Sequence, residues 1–321
     1  MDRFEGRLAV VTGAGSGMGR ELVRQLAAEG CSVAGCDIDG EAMAETVRLA
    51  EKEARPGVVV SGHVCDVSDE PAVERFRDEV LARHETDHVH LLFNNAGVSG
   101  GGSFLTDPRE EWERTFAICW GGVYTCTRVF LPLLVAADAG HLVNTSSVNG
   151  FWARILPGVP HTAYSTAKFA VKGFSEALME DLRVNAPHVQ VSVVMPGHIG
   201  TDIVLNSAVL QGHSPDTMGQ DDLAEVRRTA ERRGIDTSEI SADQLRDFVR
   251  MQGEMFRDSA PTTPEQAATI ILDGVRDGRW RILGGYDAAV LDQHVRAEPE
   301  SAYELDFMKR QVDDGGMALP L

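Results

Sequence analysis

Apolar residues along this chain fall into two alternating patterns. Short uninterrupted runs, such as Leu8-Ala9-Val10-Val11 and Ser32-Val33-Ala34-Gly35-Cys36, have the length of strands buried on both faces. Between them lie longer stretches with apolar residues at helical spacing; in 21–29 these are Leu22, Val23, Leu26 and Ala27. The alternation predicts strands near 7–12, 32–36, 58–64, 89–93, 141–145, 189–195 and 280–283. Helices are predicted near 17–29, 41–54, 70–84, 109–134, 162–185 and 264–276. Strand and helix taking turns this way indicate an α/β fold, a doubly wound seven-stranded parallel sheet with helices on both faces. The whole chain reads as one domain, 1–321. Residues 202–260, with Leu223, Phe248, Met251, Met255 and Phe256 at irregular helical spacing, read as a helical lid over an apolar site. Residues 284–321 form a C-terminal extension that either packs on a partner subunit or frays.

The first strand-to-helix junction carries Thr12-Gly13-Ala14-Gly15-Ser16-Gly17-Met18-Gly19. Strand, glycine turn and helix in that order form a dinucleotide-binding unit of Rossmann type. The glycines let the backbone approach a pyrophosphate, and the helix N-terminus attracts its charge. An acid at the right distance strengthens this reading over that of a simple tight turn. It is Asp37, which follows the second apolar run, 18 residues beyond Gly19. A carboxylate there accepts hydrogen bonds from the adenosine ribose and repels a 2′-phosphate. No Arg or Lys lies between Thr12 and Gly19 or directly after Asp37, so the expected cofactor is NAD. Asp39 reads as the cap of the helix starting near Glu41.

Tyr164-Ser165-Thr166-Ala167-Lys168 puts a phenol and an ammonium on one helix face. Free tyrosine, with a pKa near ~10, is a poor base at neutral pH, and a neighbouring cation favours its phenolate. A tyrosine tuned in this way takes a proton from an alcohol or returns one to a carbonyl oxygen. Many helices hold Tyr and Lys at this spacing, so the pair alone says little. Upstream, however, Val143-Asn144-Thr145-Ser146-Ser147 reads as a buried strand ending in two hydroxyls.

Taken together, these segments resemble the short-chain dehydrogenase/reductase family over residues 5–202, with a weaker match near 262–285. The resemblance rests on the glycine segment, Asp66-Val67, Asn94-Asn95-Ala96-Gly97, Ser147, Tyr164 with Lys168, and Pro196-Gly197-His198-Ile199-Gly200-Thr201. It implies cofactor contacts from Gly13, Ser16, Gly17, Met18 and Gly19, and from Asp37 and Ile38. Asp66 and Val67 would flank the adenine, and Asn95, Ala96 and Gly97 would line the cofactor, with Asn94 bracing the sheet. Pro196, Gly197, Ile199 and Thr201 would meet the nicotinamide end, the last two holding its carboxamide. Ser147 would bind the substrate oxygen and Tyr164 would transfer the proton. Lys168 would hold the nicotinamide ribose and lower the phenol pKa. The activity implied is interconversion of a largely apolar secondary alcohol and its ketone. The assembly implied is a homotetramer paired through the long helices 109–134 and 162–185, or a dimer if the tail blocks one interface. Phe169, Val171 and Phe174 would then be only partly buried in one subunit. The alternative is a nucleotide-sensing protein that keeps the cofactor fold without turnover; a methyltransferase with a similar sheet would not need the Tyr-Lys pair.

Two positions depart from the family pattern. Between Trp112 and Gly122, where many members carry an Asn that supports a proton-relaying water chain, this chain has Cys119. A thiol is a weak donor and acceptor, so the relay reads as compromised or rerouted unless Cys119 is simply a small buried hydrophobe. In addition, Ser147 lies 17 residues before Tyr164, a longer interval than the family's usual one. The surplus falls in 151–161, where Phe151 and Trp152 read either as a substrate wall or as core packing.

Composition adds limits. A net charge of −19 and a pI near 4.9 argue against nucleic acid or an anionic membrane as partner. Five cysteines without a Cys-x-x-Cys pair suit a reducing cytoplasm better than a disulfide framework. No uninterrupted apolar run reaches membrane-spanning length, and the start lacks a signal-peptide core. No metal site is expected, since the ten histidines show no ligand spacing. His88 and His90 read as surface residues, and His161 and His198 as polar neighbours of the site.

Overall fold

Seven short strands meet in one parallel sheet in the computed structural model, which describes residues 3–154, 159–210, 212, 214–232 and 236–314. They are β1 (Leu8–Thr12), β2 (Ser32–Asp37), β3 (Val60–Val64), β4 (Leu91–Asn94), β5 (Gly140–Thr145), β6 (Val189–Pro196) and β7 (Arg281–Gly284). Their order is β3-β2-β1-β4-β5-β6-β7, and every pairing is parallel. The order reverses between β1 and β4, so a crevice opens there beyond the carboxyl ends of the strands.

The helices are α1 (Gly17–Ala28), α2 (Gly40–Glu53), α3 (Glu70–Arg83), α4 (Arg109–Phe116), α5 (Gly122–Ala136) and α6 (Thr162–Asn185). They continue as α7 (Ile203–Leu210), α8 (Gln220–Arg232), α9 (Ala242–Asp258), α10 (Pro264–Arg276), α11 (Tyr286–Ala297) and α12 (Leu305–Asp313). Alternate strand residues explain the unbroken apolar runs. Ala9, Val11, Leu91 and Phe93 join α1 and α10 in one core. Leu8, Val10 and Leu92 join α3, α5 and the end of α6 in the other. Local chemistry sets the helix starts. The Asp39 carboxylate caps α2 by accepting from the Glu41 and Ala42 amides, as its sequence context suggested. Ser241 and Thr263 close capping boxes on α9 and α10.

Several expectations need correction. The helix read as continuous over 109–134 contains a π turn, Ala117–Gly121, between α4 and α5. The segment Arg109–Ala136 is long and apolar enough to cross a membrane, although no single run within it suggested so. Half of its apolar window is buried inside the protein, where it forms part of the core. Val171 is fully buried, so only Phe169 and Phe174 of the three proposed interface residues leave surface on α6. His90 is likewise buried, with Nδ1 accepting the Leu8 amide. The C-terminal extension does not fray through residue 314. Trp152, Leu291, Ala302 and Phe307 form a separate core that seats α11 and α12 on the chain itself. Trp152 therefore packs; it does not face the substrate side. Residues 155–158 of the longer interval lie outside the described residues.

Burial makes the native state acid-sensitive. It pushes His84 and His90 down to about 4 and His141 to about 3. All three are neutral in both states above roughly pH 6.5. Between about 6.5 and 4 the unfolded chain binds protons that the native chain refuses, so stability should fall with pH across that window. Thermal melts at stepped pH should show this, and His90→Gln should flatten the slope; an unchanged melting temperature from pH 7 to 4.5 would contradict it.

Candidate active site

At the end of β1 the chain turns through Gly13, φ +63°, and Gly17, φ +52°, in the left-handed region that glycine enters without a Cβ penalty. The turn is packed as well as bent. A Cβ on Gly13 would lie 2.7 Å from Ala96 Cα, and one on Gly19 would lie 2.0 Å from the Gly13 carbonyl oxygen. Hydrogen bonds fasten the same contact. Thr12 Oγ1 accepts from the Asn95 and Ala96 amides, each at 3.0 Å, while Asn95 Nδ2 donates to the Thr12 and Gly13 carbonyls. Asn95 Oδ1 is buried with no protein partner. Asn94 points elsewhere, donating to Thr127 Oγ1 and Asn144 Oδ1 within the sheet and α5. Ser16 stands at the N-cap of α1 but makes no side-chain cap bond, leaving the first-turn amides available to an anion. Met18 packs its side chain against the core below.

Asp37 closes one end of the crevice. Its Oδ2 accepts the Gly15 amide at 2.8 Å and its Oδ1 the Asp39 amide at 3.0 Å. Ile38 beside it is half exposed. Asp66 holds the loop after β3 by accepting from the Ser68 amide and hydroxyl, and Val67 is buried against Gly122. Arg20, which sequence reasoning passed over, binds its guanidinium to Gly15 O and Thr46 Oγ1, tying the turn to α2.

Ser147, Tyr164 and Lys168 come together at the carboxyl end of β5. Ser147 caps a 3-10 turn, Val148–Gly150, its Oγ accepting the Asn149 amide at 3.1 Å and pairing with the Tyr164 phenol. Lys168 is 2% exposed; its Nζ donates to Thr145 O at 2.9 Å and stands 5.4 Å from the Tyr164 ring centroid. Burial pushes the Tyr164 phenol above its ordinary range, the Cys119 thiol adds to this, and the Ser147 bond opposes it. Burial also pushes Lys168 down. The net shift on the phenol thus runs opposite to the lowering expected from the Tyr-Lys spacing, and its largest cause is withdrawal from water.

Cys119 sits in the π turn with no exposed surface. Its Sγ accepts the Val98 amide at 3.4 Å and donates to Val98 O at 3.2 Å. Gly97 lies between this thiol and Lys168: a Cβ there would be 3.7 Å from Sγ and 3.4 Å from Nζ. The residue is therefore a hydrogen-bonded part of the site's wall.

The loop after β6 and helix α7 cover the crevice. Pro196 pairs with Gly284, and the Gly197 amide donates to Gly284 O. The His198 amide donates to Asp287 Oδ2 at 2.6 Å, and its ring meets Phe256 of α9, with Nε2 at 2.6 Å from the Phe256 carbonyl. Ile199 bridges to Thr262, and the Thr201 side chain overlies Gly17. Ser207 of α7 accepts the Ser99 amide, and Asn206 reaches Ser16 Oγ at 3.4 Å. Arg114 holds Leu210 O, so that Leu210 packs beside Tyr164 with Val98, Phe116 and Trp120. Met218, Leu223 and Leu245, before and within α8 and α9, form a small core of their own. The His161 ring lies tilted against that of Tyr164, 4.7 Å between centroids, and burial pushes its imidazole down to about 4. Among the described residues no three His, Cys, Asp or Glu side chains cluster to hold a metal. No local signal marked Asp287, which lies far from the loop in sequence; Thr12 and Arg20 adjoin the glycines but fit no motif.

Residues 7–209 match the family model of the short chain dehydrogenases, and the chain belongs to the short-chain dehydrogenase/reductase family. It is 34% identical over 297 residues, 92% of either chain, to a putative oxidoreductase SadH of Mycobacterium tuberculosis. It is 35% identical over 198 residues, 61% of either chain, to human epidermal retinol dehydrogenase 2. Among solved structures, an NAD complex of a short chain dehydrogenase/reductase from Burkholderia phymatum superposes with a TM-score of 0.73 at 28% identity. That match covers 94% of this chain and 96% of the other. The protein is accordingly an oxidoreductase whose family works with nicotinamide cofactors.

Gly19→Ala should reduce affinity for nicotinamide cofactors at least about tenfold, a loss of ~1.4 kcal/mol, because its methyl cannot coexist with the Gly13 carbonyl. Fluorescence titration of the folded variant checks this, and wild-type affinity would disprove the close-packed turn.

Proposed function

We propose that this protein interconverts a largely apolar secondary alcohol and its ketone with NAD(H), using Tyr164 as the acid or base. The observation that carries the reading is the convergence of Ser147, Tyr164 and Lys168 beside the glycine turn. The chain's residues fit a dinucleotide: a Cβ-free cradle at Gly13 and Gly19, the open first turn of α1, and the unpartnered Asn95 Oδ1. A nicotinamide cofactor held there supplies or accepts the hydride. Gly13, Ser16, Gly17, Met18 and Gly19 would hold the pyrophosphate, Asp37 and Ile38 the ribose, and Asp66 and Val67 the adenine. Asn95, Ala96 and Gly97, with Pro196, Gly197, Ile199 and Thr201, would line the rest.

Ser147 is placed to hold the substrate oxygen against the Tyr164 phenol. With its pKa raised by burial, the phenol stays protonated at neutral pH and is ready to donate to a carbonyl oxygen. Oxidation requires the phenolate, which the nearby Lys168 ammonium favours electrostatically. Reduction should therefore proceed at neutral pH, while the oxidation rate should climb with pH into the alkaline range. Val98, Phe116, Trp120 and Leu210 beside Tyr164 favour an apolar substrate, and the retinol dehydrogenase relative is named for an alcohol that is apolar, though primary and not secondary. The NAD complex of the Burkholderia relative supports the cofactor choice, as does the Asp37 carboxylate, with Arg20 committed to Gly15 and Thr46. Cys119 is the one observation that favours a nucleotide sensor of weak turnover, and steady-state assays over alcohols and ketones separate the two readings.

Tyr164→Phe should lower turnover by about 10² to 10⁴ with cofactor affinity nearly unchanged. Steady-state rates and cofactor titration test this, and a normally active variant would place the proton transfer elsewhere. NAD(H) should bind at least about tenfold tighter than NADP(H). Asp37→Ser should narrow that ratio in paired titrations; equal affinities in the wild type would remove the role given to Asp37.

A further inference from the structure

The C-terminal extension reaches the candidate active site through an unbroken series of contacts. Ser147 Oγ accepts the Asn149 amide, and Asn149 Nδ2 donates to the carbonyls of Trp152 and Arg154 at 3.1 and 3.2 Å. From there the bonds cross to the extension. Trp152 Nε1 donates to Ala302 O at 2.7 Å, the Ala153 amide donates to the Tyr303 hydroxyl at 3.0 Å, and Arg154 donates to Tyr303 O. Apolar packing fixes the same junction: Trp152 is completely buried, its ring 5.8 Å from that of Phe307. Arg281 of β7 lies 5.6 Å from the Phe151 ring and pairs with Asp292 of α11, so strand, loop and helix are joined on the other side too. At its start, α11 holds the loop after β6 through Asp287.

We infer that residues 286–313 are a brace for the active site, and that Tyr303 is a positioning residue acting through Ala153 and Asn149 on Ser147. The inference rests on the assignment of Ser147 and Tyr164 made above. A two-residue separation between Ser147 Oγ and the Asn149 amide leaves little slack. If the 149–153 segment loosens, the hydroxyl loses its fixed direction toward the Tyr164 phenol. The Tyr303 side chain lends a hydroxyl to this brace and its main chain a carbonyl, so removing the hydroxyl alone weakens positioning without opening a large cavity.

The test uses the full chain with Tyr303→Phe and, separately, Trp152→Phe, which keeps a ring in the buried site but loses the indole N–H. Both variants should show faster amide hydrogen exchange at residues 149–153, a readout independent of turnover. Losing one neutral hydrogen bond should lower kcat/KM for the alcohol or ketone by about two- to tenfold. Cofactor dissociation constants should stay at the wild-type value. The alkaline rise in oxidation rate should move to higher pH, because the Ser147 bond opposes the upward shift of the phenol. Exchange and kinetics both at wild-type levels in folded Tyr303→Phe would overturn the brace, as would an equal loss of cofactor affinity. Faster exchange in a protein whose wild type turns over no alcohol or ketone would leave the brace standing and count against the proposed reaction instead.

Discussion

Everything at the crevice depends on one close approach, that of the glycine turn to the end of β4. Parallel strands β1 and β4 are neighbours, and the chain leaves them in opposite directions, so a crevice opens at their carboxyl ends. With 2.7 Å between a hypothetical Gly13 Cβ and Ala96 Cα, Gly13 has no room for a side chain. The Thr12 hydroxyl and the Asn95 amide group convert that steric fit into a defined hydrogen-bonded register. Gly15 then carries the register across to Asp37 and thus to β2. Three strands are indexed to each other at their functional ends by bonds between side chains and backbone, the Thr12 hydroxyl, the Asn95 carboxamide and the Asp37 carboxylate each meeting a main-chain group.

A second balance lies between desolvation and charge. Tyr164 and Lys168 share a face of α6 and lie close, yet each is driven toward its neutral form by burial. Leu210 of α7 joins Val98, Cys119, Ala167, Phe116, Ile118 and Trp120 in the apolar cluster to which Tyr164 belongs. An apolar surround of this kind raises the energy of a phenolate relative to the phenol.

The sheet was legible in the sequence because buried parallel strands leave continuous apolar runs and the helices between them keep a 3.6-residue period. Strand β3 is shorter than expected at its start, where Val58 closes a turn onto Arg55. The glycine turn, Asp37 and the Ser147, Tyr164 and Lys168 set are also local signals, and the fold brings them to one crevice. Contacts between distant segments carried no such signal. Trp152 meets Ala302 across 150 residues, and a tryptophan in a Pro- and Gly-rich loop looks the same whether it faces ligand or core. The direction of the Tyr164 shift was illegible for a related reason: i,i+4 spacing reports proximity but says nothing about how much water remains.

The π turn at Ala117–Gly121 has a further consequence. A π turn accommodates an additional residue within a helix, and each α-helical residue rotates the chain by about 100°. Ahead of the turn, Phe116, with Trp112 stacked on it, packs with the cluster that holds Tyr164; behind it, Cys126, Val129 and Phe130 are directed into the sheet. The extra residue sets the phase between these two faces. Deleting one residue there would leave a smoother helix but turn one face away from its target, either emptying the core beneath β4 and β5 or swinging the aromatic wall out of the crevice. The turn works as a phase offset within a single helix, letting one continuous rod serve two surfaces whose directions an ideal helix could not match.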